Sequence, residues 1–453
     1  MLRATFLSLV GWLLAICALA ADGPFLSNGL KIGEVATDSA IVWTRLTGPR
    51  AEGGAVPGKP GSVRLAVSTR ADLTDAKEFP AVLAQAESDF TATWKLENLR
   101  PATKYYVRLT AHADATGPPT VRLDASFTTA PPPDEWHDLR FAVMSCQGWT
   151  DQDDPGGFLI YPSMHKTGAS FYVATGDNVY YDNDPPEATT VPLARLHWNR
   201  MYGLPLLVEF HRHVPGYWQK DDHDVLRNDA WPKPGQTADP DEPLTGPLTF
   251  AKGQRIFREQ VPLGEKTYRT FRWGRGVQIW LVEGRDFRSP NNLPDGPEKT
   301  IWGPEQLAWL KASLLASDAE FRILISPTPI VGPDREKKAD NHANRAFAHE
   351  GNAFRAWTKE KKLDNLFVCC GDRHWQYHSV DPASGLHEFA VGAASDQHAG
   401  GSPGLDADYQ QFHRVKGGFL TAQVSRERGR PTIALRHHDV HGAVVNEHVA
   451  RRP

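Results

Sequence analysis

The chain has 453 residues, with 50 Lys or Arg against 54 Asp or Glu and a formal net charge of −4. Charges so nearly balanced exclude the basic footprint of a nucleic-acid-binding surface, so no specific nucleic-acid partner is expected. The length is enough for two domains with their own cores.

Arg3, an apolar run from Phe6 to Ala18, and small residues at Ala18, Ala20 and Ala21 read as a cleaved secretory leader over residues 1–21. The run is shorter than the ~20 residues a spanning helix needs, and no later segment is long and uncharged enough. A secreted or periplasmic protein with no transmembrane anchor is therefore expected. Ile16 is too bulky for a lipoprotein box before Cys17, and Arg3 has no twin arginine beside it. Loss of Cys17 leaves Cys146, Cys369 and Cys370, an odd number, so at least one thiol stays outside intramolecular disulfides. Cys146 suits a metal; Cys369 and Cys370 lie in an apolar run and suit the core.

Residues 22–130 read as all-β. Ser39–Arg45 and Val63–Ser68 alternate apolar and polar side chains. Leu96–Val107 resembles the E–F corner of fibronectin type III domains, with Tyr105 as the corner tyrosine, and Ser126–Thr129 would close the sandwich. No catalytic cluster falls here, so the domain reads as structural or as a wall beside a site. Residues 131–138, opening on Pro131-Pro132-Pro133, read as a stiff linker and hinge.

From residue 139 to 453 strands and helices alternate. Leu139–Met144, Ala169–Ala174, Val277–Val282, Phe321–Ile325 and Leu366–Cys370 read as buried strands. A helix starts near Pro304 and carries Leu307, Leu310 and Leu314 on one face; a second runs from about Asn344 to Lys361. This pattern predicts a layered α/β domain with chemistry at its strand ends. Pro232–Pro247 reads as a surface loop or lid. In the charged, strand-like tail, His437, His438, His441 and His448 read as surface histidines and not as a second metal site.

Potential ligands fall just after the strands: Cys146, Asp177, Tyr180, Asp372 and His374. One such residue is ordinary, since an Asp after a strand is most often a turn or cap residue. Five in order are not. Asp177 can bridge two cations, and Tyr180 can give a phenolate to the more Lewis-acidic one. Free tyrosine titrates near ~10, so only a strongly charged ion holds a phenolate at neutral pH. With Asp221-Asp222-His223-Asp224 these runs point to a metal-dependent phosphoester hydrolase.

The runs Ser145-Cys146-Gln147, Gly176–Tyr180, Asp221–Val225, Glu283–Arg288, Gly303–Leu310 and Gly371–His374 resemble the alkaline phosphatase D (PhoD-like) family of the calcineurin-type metallophosphoesterases. The resemblance covers nearly the whole mature chain. It implies an α-β-β-α sandwich behind the fibronectin-III-like domain, and a site holding one Fe(III) with Ca2+ nearby. By position, Cys146, Tyr180 and His374 would bind iron, Asp177 would bridge to calcium and Asp372 would face calcium. Either Asp222 or Asn228 would supply a further ligand; the residue types leave zinc or manganese open at the iron position. Three departures stand out. Glu283 sits where the family more often has Asp, Asn178 replaces a frequent aromatic as in purple acid phosphatases, and the twin arginine is missing.

The implied activity is phosphomonoester hydrolysis by metal-activated hydroxide, without a Ser or Thr nucleophile. His223 would stabilise or protonate the leaving oxygen, oriented by Asp224 or Asp222, and Arg285 would hold non-bridging oxygens in its fork. The plainer reading of Arg285 is a pair with Glu283 or Asp286. Trp149 and Trp375 could line the substrate pocket. The alternatives are a phosphodiesterase or phospholipase D-like hydrolase of the same family, with room set by residues 184–200 and 231–258, or a secreted binding protein with a vestigial site.

Overall fold

A computed structural model describes residues 23–114, 116–232 and 247–452. The leader expected over residues 1–21, with its Cys17, lies outside these residues, as do residues 233–246 of the expected surface loop.

The strands Leu139–Met144 and Phe171–Thr175 pair in parallel at the centre of a nine-stranded sheet, and Gly216–Gln219 pairs next to them. Apart from Arg140, their central residues are apolar because both faces are covered. Phe141, Val143, Phe171 and Val173 point to a core shared with a second sheet, whereas Ala142, Met144, Tyr172 and Ala174 point to helices. Those helices are Ile160–Lys166, Val191–Met201, Pro205–His211 and Phe250–Gln260. The second sheet has seven strands, with Val277–Leu281, Phe321–Ser326 and Leu366–Cys370 in parallel. Ile279, Ile323, Phe367 and Cys369 enter the shared core, while Trp280, Leu324 and Val368 pack beneath helices Gly303–Ala316 and Ala348–Glu360. The layers run helix, sheet, sheet, helix. Parallel neighbours in each sheet end together, and the loops that follow them meet at one rim.

The N-terminal strands do not stand apart from this body. Leu30–Gly33, Ala40–Arg45 and Thr91–Leu96 continue the nine-stranded sheet, joined where Gly33 pairs with Gly216. A four-stranded sheet of Lys77–Ala84, Gly61–Ser68, Lys104–His112 and Pro119–Thr128 packs against them. The backbone N–H of Arg100 donates to Tyr105 Oη at 2.8 Å, the corner bond anticipated from the sequence. Buried polar links cross to the helices: Asn199 and Gln260 both donate to Asp89, at 2.9 and 2.8 Å, beside the Arg45–Asp89 pair. Lys31 Nζ reaches the Gln260 carbonyl at 2.6 Å, over the Tyr202 ring. The 131–138 segment is fastened where the sequence suggested a hinge. Pro131 is buried, and the Arg275 N–H donates to the Glu135 carbonyl at 2.7 Å.

One expectation for the tail is overturned. His437 and His438 are buried on the strand Arg430–His438, because that strand lies inside the nine-stranded sheet with both neighbours in place. His448 is half-buried, and only His441 is exposed. All three cysteines among the described residues are buried free thiols.

Candidate metal centre

Three of the expected ligands occupy equivalent places, just past the ends of parallel strands, and all three adopt the left-handed conformation that non-glycine residues avoid. The φ angles are +55° at Cys146, +52° at Asp177 and +62° at Asp372. Such backbone costs on the order of 1–3 kcal/mol at each position and persists where the surroundings over-determine it. Here the surroundings are close-packed loops. A Cβ on Gly371 would lie 2.4 Å from Ser145 Oγ and 2.7 Å from the Thr175 carbonyl, so only glycine lets these strand ends converge. Backbone bonds then lock two loops together: Gln147 N–H donates to the Asp177 carbonyl at 3.0 Å, and Asp224 accepts from Asn178, Val179 and Asp221 N–H groups at 2.8–3.1 Å.

The side chains meet in one cluster. Donor atoms of Cys146, Asp177 and His374 lie within 4.8 Å of one another, as do those of Asp177, Asp222 and His223, and those of Asp177, Asp221 and Asp372. Asp177 belongs to all three sets, the place of a bridging ligand. Tyr180 Oη donates to Asp177 Oδ2 at 3.1 Å and lies 3.3 Å from His374 Nε2. Asp222 is thus brought into the cluster. Asn228 lies exposed at its edge, its amide oxygen accepting from Lys338 at 3.4 Å.

The electrostatics ask for positive charge. Burial, reinforced by the Asp177 carboxylate, pushes the Cys146 thiol and the Tyr180 phenol well above their ordinary values. Burial also pushes Asp177 up, with Asp222 and Asp221 adding repulsion against the help of His223. Burial and the neighbouring His398 and Arg373 hold His374 neutral, with a lone pair to give. Asp177 Oδ1 and Asp221 Oδ2 are buried without a hydrogen-bond partner. An unpaired buried carboxylate is costly, and a multivalent cation is what turns this thiol, phenol and carboxylate set into stable ligands. The residues present fit such ions.

The two groups expected to handle substrate behave differently. His223 Nδ1 is 2.6 Å from Asp182 Oδ1, so Asp182 orients the ring, not Asp224 or Asp222 as the sequence suggested. Asp224 is committed to the loop N–H groups described above. Burial works against a charged His223, but Asp222 and Asp182 outweigh it and push the imidazole up to about 10. Arg285 is wholly buried and two of its three nitrogens are hydrogen-bonded: Nε donates to Asp221 and Nη1 donates to the Ala230 carbonyl at 3.2 Å, while Nη2 makes no hydrogen bond and lies 3.5 Å from Asp222. This enclosed arginine is a loop tie, so the expected phosphate clamp is corrected. Nor does its side chain pair with Glu283 or Asp286, because Lys220 takes both. Trp375 is also buried, packed with Cys370 and Tyr377; Trp149 is half-buried under the Arg200 guanidinium.

Sequence reasoning missed His398. Its Nε2 lies 2.9 Å from Tyr180 Oη, its Nδ1 is 2.5 Å from Asp151, and its ring centroid is 4.2 Å from that of His374. It follows the strand His387–Val391, which the sequence reading left undrawn; with that strand in place, His398 becomes another polar residue past a strand end. Asp182, Asp221 and the Asp222–Asp229–Asp340 group were missed as partners for the same reason: only folding brings them together.

With this geometry established, known proteins can be compared. The sequence profile of the PhoD-like phosphatase family matches residues 141–443, and that of the PhoD-like phosphatase N-terminal domain matches residues 14–131. Alkaline phosphatase D of Bacillus subtilis (strain 168) is 23% identical over 408 residues, covering 79% of this chain and 65% of that relative's length. Among solved structures, one of PhoD superposes with a TM-score of 0.74 at 19% identity, covering 94% of this chain and 89% of that one. A purple acid phosphatase from yellow lupin (Lupinus luteus) seeds gives a TM-score of 0.63 at 13% identity, covering 93% and 74%. The chain belongs to the PhoD-like phosphatase family.

Proposed function

We propose that this chain is a metal-dependent phosphomonoesterase of small phosphate esters, and that it works outside the cytoplasm. The observation that carries the reading is the buried cluster in which Asp177 joins three overlapping donor sets from separate loops. Export rests on the leader pattern of residues 1–21, and N-terminal sequencing of protein recovered outside the cytoplasm would find a chain starting near residue 22. The N-terminal sheets are read as a fibronectin-III-like sandwich on their strand pairing and the Tyr105 corner.

The donors separate by chemistry. Cys146, Tyr180 and His374 offer thiolate, phenolate and imidazole, which suit Fe(III), while Asp177, Asp222 and Asp372 offer only oxygen, which suits Ca2+. Metals bound there would supply Lewis acidity, acidifying water and offsetting charge on the phosphoryl group. The chain itself does the rest. His223, held by Asp182 and carrying its proton well above neutral pH, is placed to protonate the leaving oxygen. Arg285 and Asp224 fix the loops that aim these groups. His398 steadies the Tyr180 hydroxyl, with Asp151 on its other ring nitrogen.

The test compares p-nitrophenyl phosphate with its bis ester, before and after chelation. Faster turnover of the monoester, lost on chelation and restored by metal, is expected. Preference for the diester would overturn the monoesterase reading, and no turnover of either by metal-loaded protein would leave a binding protein. A ferric phenolate would show a visible charge-transfer band that Tyr180→Phe weakens; colourless, active, iron-free protein would remove the iron assignment alone.

A further inference from the structure

Outside this centre, three imidazoles from three strands face one another. His378 lies on Gln376–Val380, His387 begins His387–Val391 and His448 lies on Val444–Arg451. One ring nitrogen from each lies within 4.8 Å of the other two. His378 Nε2 and His387 Nδ1 are 2.9 Å apart, and the His448 centroid is 4.9 and 4.7 Å from theirs. The register explains the first pair: Val380 opposes His387 and Phe389 opposes His378, which sets the two histidines diagonally on one face of a hairpin. His448 arrives from the edge strand of the other, nine-stranded sheet. The floor is aromatic, with the Phe389 ring stacked 4.2 Å from His378 and Phe367 beside His387 and His448. His378 is buried, while His387 and His448 line an open groove of about 660 Å3.

We propose that His378, His387 and His448 form a site for one borderline divalent cation of the zinc type, which clips the C-terminal strand to the seven-stranded sheet. Three imidazole nitrogens with no carboxylate among them match zinc or cobalt and poorly match the hard cations calcium and magnesium. Burial and mutual repulsion, chiefly from His448, push His378 down to about 2 and His387 down to about 4, so both rings stay neutral and nucleophilic at physiological pH. To reach bonds of ~2.0–2.1 Å the three nitrogens, within 4.8 Å of one another, exchange the His378–His387 hydrogen bond for the cation. The groove leaves the fourth position to solvent. Strands carry all three ligands, so binding orders no loop.

Full-length protein loaded with its strand-end metals and then desalted is titrated with Co2+ and with Zn2+. One further equivalent is expected, with visible Co2+ absorption, and Zn2+ should raise the Tm. His448→Gln and His387→Gln should each lose that equivalent and the Tm rise while hydrolysing p-nitrophenyl phosphate at the parental rate, which also shows that they fold. Asp177→Asn should keep it. Absence of the further equivalent in the parent protein, or its retention in both glutamine variants, would overturn the site and leave three packed histidines, two of them hydrogen-bonded.

Discussion

The strand-end centre and the three-histidine cluster are both groups of potential ligands, the first largely buried and the second half-open, and they reach their geometry by different routes. At the centre, Cys146, Asp177 and Asp372 depend on left-handed backbone and on glycines that let loops touch. His378, His387 and His448 sit on regular strands, where the alternation of side chains alone puts them on facing surfaces. The first arrangement is strained and crowded with carboxylates that repel one another; the second is unstrained and holds neutral rings. Strain at strand ends thus accompanies the proposed reactive site, and its absence the site proposed to hold the fold together.

The sharpest way to break this contrast is to remove the shared carboxylate. Asp177→Asn should lower activity by more than the ~100-fold typical of losing an outer-sphere partner. Its Tm without metals should be unchanged or higher, because a buried carboxylate with an unpartnered oxygen is gone. Assays with thermal melts check both halves; a strongly destabilised variant would show Asp177 to be structural.

Next comes the acid. His223→Asn should cost ~10²–10⁴ in kcat. Asp182→Asn should cost less, and because Asp182 raises the His223 pKa, its removal should move the alkaline limb of the pH–rate profile to lower pH. An unmoved limb would assign that limb to another group.

Third is the backbone that brings the loops together. Gly371→Ala puts a methyl group against Ser145 Oγ and the Thr175 carbonyl and should cost about 1–3 kcal/mol with weaker metal binding. Urea denaturation measures the first effect and metal content the second.

The smallest effect near neutral pH belongs to the strand histidines. Burial, opposed in part by the Ala390 carbonyl and aided by His438 and Arg414, pushes His437 down to about 3, and His387 lies near 4. The unfolded chain titrates these groups near ~6.5. Above that pH neither state binds the protons and stability is unaffected. As pH falls from ~6.5 toward ~3–4 the unfolded chain gains protons that the folded chain refuses, so stability drops by up to about 1.4 kcal/mol per pH unit for each fully buried group. Melting at pH 7.5, 6 and 5 reads this slope, and His437→Asn should flatten it.

The sequence made much of this legible. Mostly apolar runs such as Leu139–Met144, broken only by Arg140, and Leu366–Cys370 marked the central strands to the residue, and the polar residues after them marked the centre. The C-terminal strands were harder. Phe419–Glu427 and Arg430–His438 mix charged and apolar residues because they run outward from the core, and without them His437 looked solvent-facing; His398 had no strand to follow because His387–Val391 was left undrawn.

From its linear order, then, this chain determined which donor chemistries are present and that they follow strands, because backbone alternation and turn chemistry are local. Which acid orients His223, that Arg285 is enclosed by Asp221 and Asp222, and that His448 meets His378 were decided only in the folded molecule. Those partners come from segments paired across sheets and loops, and such pairing is set by packing and charge neutralisation between distant residues, which leave no periodic trace along the chain.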